Sequence, residues 1–409
     1  MKETSDRKLS MKYIAVVLCC AGIFAAQSGT SNCLGIFYSS LADHIDSGVG
    51  TVSFFVTLKG LASTLVNILI PYIMYRKKII GKLFLAGGVC EACGLALATA
   101  AVKPFSLALC FLLQGIGDGL LTSLILITVL HNWFNKGAAT CLALTTCSSG
   151  LFGAVFNPVL ASFMTAFGWQ KALLFLAVCA FVLTLPAAFF VTLTPAEKND
   201  VPYGDEELRK SETESTAAAA GSVRFDSSMV FICTVSVLCA IFLSQGMHIS
   251  TFGGSLGATV AFSALMTSSA MVGNIVFKLS AGVMYDRFGI RRTNNLIFAI
   301  SIAGGIILAF YRNCDWILLA GCFLFGVNYG FCNIGFPELA QRVFKKEDYA
   351  PRYSIASTTM GLVYQACGTV YGLFYDWTGA YDLTNILCLA AIIICALIVI
   401  IYENRKGIS

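Results

Sequence analysis

Charged residues are scarce in this sequence. Only 12% of its 409 residues are Asp, Glu, Lys or Arg, and 57% are hydrophobic. Soluble domains have about 25% charged and roughly 45–50% apolar residues. A water-soluble fold could not bury this much apolar surface. The composition therefore excludes a soluble protein and indicates that lipid surrounds most of the chain.

The sequence also lacks the residue clusters that enzymes and metal proteins need. Its three histidines, His44, His131 and His248, are far apart, and no nucleotide-binding motif is present. Cys90 and Cys93 form a C-x-x-C inside an apolar segment, but no second pair of ligands accompanies them. We therefore expect no enzymatic activity, no metal or other cofactor and no nucleic-acid partner. We expect a functional monomer in the lipid bilayer.

Long apolar stretches recur along the whole chain. A stretch of about 18 or more apolar residues is long enough to cross a bilayer as a helix. The predicted spans are 12–38, 50–74, 79–101, 104–130, 138–165, 169–193, 229–252, 257–284, 293–310, 315–337, 353–375 and 383–402. The sequence thus predicts an all-α membrane protein with twelve transmembrane helices.

The positions of the basic residues predict the orientation of these spans. If both termini are cytoplasmic, 22 of the 27 lysines and arginines face the cytoplasm, because only Lys103, Lys171 and Arg312 lie outside. Lys59 and Lys278 lie within spans. Cytoplasmic loops of membrane proteins carry such an excess of positive charge. We therefore expect a multi-pass protein of the plasma membrane with both termini in the cytoplasm.

The chain reads as two similar halves. The motif G-I-G-D-G at Gly115–Gly119 corresponds to G-V-N-Y-G at Gly326–Gly330, which lies 211 residues later. This repeat predicts two pseudo-symmetric six-helix bundles, at 1–194 and 229–409, and a central site exposed to each side in turn. The polar segment 195–228 is predicted to be a cytoplasmic linker. Its acidic run is either a solvated connector or a regulatory element.

Several short motifs carry a family resemblance. The segment Gly282–Arg292, GVMYDRFGIRR, resembles the signature loop of the major facilitator superfamily, although Arg76 replaces the acid in the first half. Segments Leu34–Phe37, Trp133–Ala139 and Gly372–Tyr381 are similar to the monocarboxylate transporter and oxalate:formate antiporter branch. The resemblance implies the major facilitator fold and secondary active transport of a small organic anion.

One lysine lies in the middle of a predicted span. A lysine at this depth costs at least about 2.5–3.5 kcal/mol, so Lys278 should face a wet cavity or a counter-charge. In the oxalate:formate branch this position usually holds an arginine that binds substrate carboxylate. The family's second cation is absent from helix eleven, where Tyr364 and Gln365 stand instead, so a monocarboxylate is the expected cargo. Asn274 and Asn328 supply amide groups for the same predicted substrate site, which also includes Tyr329, Tyr364 and Gln365.

A second group of residues is predicted to couple transport to protons. By the repeat, Asp118 and Tyr329 occupy equivalent places near the middle of helices four and ten. Asp118 is either a proton-coupling acid or a counter-ion for Lys59, and Lys59 could pair instead with Glu91. The sequence leaves these pairings open. Transport would then be driven by proton symport or by exchange against another anion.

The signature loop is expected to gate the cytoplasmic end. Asp286 is predicted to lie near the positive N-terminal end of helix five, with Arg287, Arg291 and Arg292 beside it. Another cargo class also fits the sequence. The chain could carry neutral or cationic small molecules, as a drug or metabolite exporter does, with Lys278 structural and Asp118 as the cation site.

Overall fold

The structure is a computed structural model of the chain. It describes residues 11–74, 76, 79–135, 137–198, 200–203, 226–311, 314–345 and 348–406, apart from the side chains of residues 139, 282, 286 and 350. Secondary structure in these residues is helical except for one isolated bridge between Phe134 and Tyr203. Most of the predicted linker 195–228, including nearly all of its acidic run, lies outside the described residues.

Twelve long helices follow one another, and we number them in chain order. They are α1 (Met11–His44), α2 (Val49–Ile73), α3 (Ile79–Ala98), α4 (Pro104–Trp133), α5 (Ala138–Phe167), α6 (Trp169–Phe190), α7 (Ser227–Ser255), α8 (Val260–Tyr285), α9 (Arg287–Phe310), α10 (Asp315–Val343), α11 (Tyr349–Thr378) and α12 (Asp382–Lys406). Within the described residues, 11 of these helices are long and apolar enough to cross a membrane. The exception, α11, has 30 residues but a more polar sequence. The predicted all-α membrane fold is confirmed.

Some helices are locally irregular. Short 3-10 turns at Leu34–Phe37 and Gln245–His248 interrupt α1 and α7, and α10 contains a π turn at Phe331–Gly335. The α8 and α9 helices form one helical stretch that bends at Gly289, where φ is 74°. A residue without a Cβ adopts this left-handed conformation at little cost.

Glycines let α3 and α4 pack closely. A Cβ added at Gly117 would lie 2.8 Å from Glu91 Cγ, and one added at Gly87 would lie 2.8 Å from Leu121 Cγ. Small residues allow membrane helices to approach until their backbones touch. This contact sets Glu91 of α3 beside the part of α4 that carries Asp118.

Buried clusters of apolar residues show how the helices associate. One cluster contains only residues up to Tyr203, and another contains only residues from Met229 onwards. The first six helices contact the last six where α2 packs on α11 and where α5 packs on α8. The predicted bundle boundaries, 1–194 and 229–409, stay predictions.

Candidate substrate and proton site

The two halves are bonded to each other at one end of the molecule. We call it the distal end, and we call the other end, where the first and last described residues Met11 and Lys406 lie, the terminal end. There Asp376, near the end of α11, accepts hydrogen bonds from the backbone N–H groups of Val49 (2.8 Å) and Gly50 (2.7 Å) at the start of α2. Deeper in the membrane, the Thr57 hydroxyl donates to the Gln365 carbonyl oxygen at 2.7 Å.

Within the described residues, the opposite end has no such bonds. Among the described residues, every hydrogen bond between the halves lies at the level of Thr57 or on its distal side. The described residues also contain no ion pair between the two halves. The structure is therefore closed at the distal end, with a cavity on the terminal side of the closure.

This cavity has a volume of about 360 Å³ and is lined by residues of both halves. The lining residues are Gln27, Thr30, Ser31, Val56, Lys59, Gly60, Ser63, Thr64 and Asp118 from the first half and Met247, Gly361, Tyr364 and Gln365 from the second. Small-molecule sites are concave and position a few polar groups precisely. The size and the polar lining suit a small polar molecule.

An ion pair stands in the wall of the cavity. Lys59 Nζ of α2 lies 2.9 Å from Asp118 Oδ2 of α4 and also donates to the Thr30 carbonyl oxygen of α1 at 2.8 Å. The Lys59 side chain is 5% exposed and the Asp118 side chain 15%. Gly115 permits this approach, because a side chain there would collide with the α2 backbone. Of the two pairings that the sequence left open, the structure contains Lys59 with Asp118.

A third charged residue lies directly behind this pair. Glu91 of α3 is fully buried, and its Oε1 accepts a hydrogen bond from the Thr30 hydroxyl at 3.0 Å. The Glu91 and Asp118 carboxyl groups interact with each other. Glu91 forms no ion pair with any described cation, and both Glu91 Oε2 and Asp118 Oδ1 have no hydrogen-bond partner among the described residues.

Lys278 is not among the residues that line this cavity. It lies on α8 near the thiols of Cys147 on α5 and Cys332 in the π turn of α10. No acidic group of the described residues forms an ion pair with it. Asn274, one turn away, is buried against Gly150 of α5, and its Oδ1 has no described partner. The structure thus brings Lys278 and Asn274 together at the contact of α5 with α8, outside the lining of the cavity.

The predicted second-half residues divide between the cavity and its surroundings. Tyr364 and Gln365 line the cavity, and Gln365 Oε1 has no described hydrogen-bond partner. Tyr329 lies behind this wall, next to Tyr364, with its hydroxyl against Gly246. Asn328 points towards α9, where its Oδ1 accepts a hydrogen bond from Ser301.

Among the described residues, no hydrogen bond or ion pair joins the predicted gating residues to the first half. The side chain of Asp286 lies outside the described residues, and Arg287, Arg291 and Arg292 are exposed. Arg291 acts electrostatically on Glu403 of α12, which belongs to the same half. Their gating role stays a prediction.

Sequence reasoning missed the polar residues of the first half that line the cavity. Gln27, Thr30 and Ser31 follow one another at helical spacing on α1, and Ser63 and Thr64 come one turn after Lys59 on α2. Side chains three and four residues apart share one face of a helix. That spacing of polar residues in apolar helices was the available signal. Asp376 lies within one of the family motifs, but its partners are backbone groups.

Comparison with known proteins decides the family. The profile described as "Major Facilitator Superfamily" matches residues 17–369 and again residues 230–407. This chain belongs to the major facilitator superfamily. The transporter is accordingly a multi-pass integral membrane protein that moves small molecules by alternating access. No curated protein matches the chain significantly.

Solved structures of other transporters share the fold. The nucleoside transporter NupG matches with a TM-score of 0.71 and 13% identity, over 97% of this chain and 99% of that one. A bacterial homologue of the iron transporter ferroportin, in an inward-facing state, gives 0.70 and 12% over 97% and 100%. A D-xylose–proton symporter gives 0.69 and 16% over 94% and 96%. At these identities the likeness concerns the fold alone.

Proposed function

We propose that this transporter carries a small organic anion, preferentially a monocarboxylate, together with a proton, and that it belongs to the monocarboxylate transporter and oxalate:formate antiporter branch. It acts as a monomer in the plasma membrane with both termini in the cytoplasm, so that the distal end faces outside. The ion pair of Lys59 and Asp118 in the cavity wall is the observation that carries this proposal.

The ion pair links the proton to the anion by charge. While Asp118 is ionised, it occupies the ammonium group of Lys59, and an anionic substrate meets a neutralised site. A proton on Asp118 removes that competition and leaves Lys59 with only the Thr30 carbonyl oxygen. A substrate carboxylate then takes the place of Asp118. Because coupling between two ligands is reciprocal, the bound anion also favours the protonated form of Asp118.

The remaining predicted residues have roles that follow from their positions. Tyr364 and Gln365 bond to the substrate from the second half, since both line the cavity. Lys278 and Asn274 lie where α5 contacts α8. We assign them to substrate binding in the conformation in which these two helices separate. Asn328 would have to release Ser301 before it could reach a substrate. We also assign to the signature loop the closure of the terminal end.

Transport assays in proteoliposomes test the proposal. The purified protein should accumulate labelled monocarboxylates when the pH gradient is imposed and should accumulate less without it. Asp118→Asn should retain substrate counterflow but lose accumulation driven by the pH gradient, because the amide cannot release a proton. Asp43→Asn, at an exposed acid of the distal end, is the matched control and should behave as the unmodified protein. Accumulation by Asp118→Asn in response to the gradient would contradict the coupling role. Counterflow alone, unaffected by pH, would indicate anion exchange.

A second candidate cargo is a neutral or cationic small molecule, as in drug or metabolite exporters. The observation that favours it is that Asp118 already neutralises the only lysine of the cavity lining. The transporters of similar structure include those named for nucleosides and for D-xylose. The double variant Lys59→Gln, Asp118→Asn separates the candidates. A carrier of neutral molecules should still exchange its cargo, whereas an anion carrier should not bind its cargo at all.

A further inference from the structure

Lys59 and Asp118 in the cavity wall and Glu91 directly behind them are two acids and one lysine, so their charges do not balance. Lys59 Nζ contacts Asp118 and the Thr30 carbonyl oxygen, but Glu91 has no ion-pair partner in the described part of the chain. If all three groups were ionised, a net negative charge would be buried between membrane helices. An unpaired buried charge is strongly unfavourable, and buried acids usually become neutral instead.

We propose that Glu91 is a protonated carboxyl group whose Oε2–H donates to Asp118 Oδ1, and that this bond positions Asp118 and sets how tightly it binds the transported proton. The protonation of Glu91 does not depend on the proposed function, whereas the binding of a transported proton by Asp118 rests on it. Glu91 is thus a positioning residue, because it acts on Asp118 and does not line the cavity.

The hydrogen-bond pattern supports this protonation state. Glu91 Oε2 and Asp118 Oδ1 are both buried without a described partner, and the two carboxyl groups interact. One proton on Glu91 Oε2 satisfies both atoms at once. Glu91 Oε1 meanwhile accepts from the Thr30 hydroxyl at 3.0 Å, and the Thr30 carbonyl oxygen accepts from Lys59 at 2.8 Å. Every charged or protonated member then has a partner, which a buried polar network requires.

Burial distinguishes the roles of the two acids. Glu91 is 0% exposed, whereas the Asp118 side chain is 15% exposed and faces the cavity. A proton that enters with the substrate therefore reaches Asp118 first. Glu91 keeps its own proton throughout, and the group of three residues is electrically neutral before the substrate arrives.

In the described part of the chain, few titratable groups act on Glu91. Asp118 of α4 and Lys59 of α2 face Glu91, and on α3 itself the Cys90 thiol is next to it. The α1 helix contributes the Thr30 hydroxyl, and α6 packs on α3 with Thr184 at Gly88. Within the described residues, Glu91 and Asp118 are therefore the acids of this site.

Infrared spectroscopy of the purified protein in lipid tests the protonation of Glu91 without any substrate. At neutral pH the spectrum should contain a carbonyl-stretch band of a protonated carboxyl group that disappears in Glu91→Gln. Asp118→Asn should shift this band, because the acceptor of the hydrogen bond changes. Glu338→Gln, at a partly exposed acid paired with Arg342, should leave it unchanged. Loss of a carboxylate band in Glu91→Gln, with no loss of the protonated band, would overturn the proposal.

The pH dependence of the infrared bands of the Asp118 carboxyl group tests the positioning role of Glu91. Glu91→Gln keeps an N–H donor for Asp118 Oδ1 and should titrate nearly as the unmodified protein does. Glu91→Leu removes a hydrogen bond to the charged form of Asp118, so Asp118 should bind its proton at a pH about one to two units higher. Equal titration in both variants would refute the positioning role. If Glu91→Leu gives the expected shift but the unmodified protein transports no anion, the positioning role of Glu91 stands and the proposed function is rejected.

Discussion

Replacing Asp376 by asparagine should weaken the closure of the distal end. In the structure the Asp376 carboxylate bonds to the N–H groups of Val49 and Gly50, which are the first residues of α2. The N-terminus of a helix carries unpaired N–H groups and a partial positive charge. An amide oxygen can replace only one of the two acceptors and carries no charge. The variant should therefore populate the state that is open at this end.

The size of this shift follows from the bonds that are lost. A hydrogen bond to a charged group contributes about 1.5–3 kcal/mol, and a charge at an exposed helix N-terminus contributes about 0.3–1 kcal/mol. Asp376 is exposed, so water competes for its oxygens. We expect a net effect of about 1–2 kcal/mol, which corresponds to a change of roughly 5- to 30-fold in the ratio of the two states.

Distance measurements between spin labels can follow this ratio. Labels attached through unnatural amino acids at Lys103 and Asp315 avoid the 17 native cysteines and place one probe on each half at the distal end. Asp376→Asn should increase the long-distance population, whereas Asp43→Asn, at the same end, should not. An unchanged distribution in Asp376→Asn would refute the view that this carboxylate holds the halves together.

Three further changes test other contacts. Gly372→Ala should also open the distal end, because the added Cβ would lie 2.8 Å from the α2 backbone. Gly254→Ala is the control and should not open it, because Gly254 has free space around it. The same spin-label distances measure both variants. Lys278→Gln should keep normal expression but reduce anion uptake, because Lys278 acts in the state in which α5 and α8 separate; unchanged uptake would contradict that role. A hydrogen bond from Arg352 lowers the pKa of Asp226, so Asp226→Asn should reduce thermal stability near neutral pH. That difference should vanish once the pH falls below the lowered pKa, where the native carboxyl is protonated too; a difference that persists in acid would contradict this ion pair as the cause.

The course of the helices could be predicted from the sequence because a bilayer imposes a simple length rule. Each predicted span overlaps one helix of the structure, even where the ends differ, as for 353–375 and Tyr349–Thr378. The turns inside the helices were not predictable in this way. The π turn at Phe331–Gly335 replaces one pattern of backbone bonds by another and leaves the hydropathy unchanged.

The site was less accessible to sequence reasoning, because it depends on how each helix is rotated. The choice between Asp118 and Glu91 as the partner of Lys59 is decided by the close packing of α2 on α4 at Gly115. Lys278 lies within α8, but the structure places it near Cys147 on α5 and outside the lining of the cavity. Depth follows from counting residues along a helix, but the facing direction follows from tertiary packing.

The polar character of α11 has a consequence for how the protein is made. This helix of 30 residues is the only one of the twelve described that falls short of the apolar content of a membrane span, whereas α12, which follows it, is the most apolar. Insertion into the membrane depends on the hydrophobicity of each segment as it leaves the ribosome. We expect α11 to enter the bilayer as a hairpin with α12. In a chain truncated after Gly379, glycosylation mapping should find α11 uninserted in a large fraction of molecules, and the complete chain should restore its insertion.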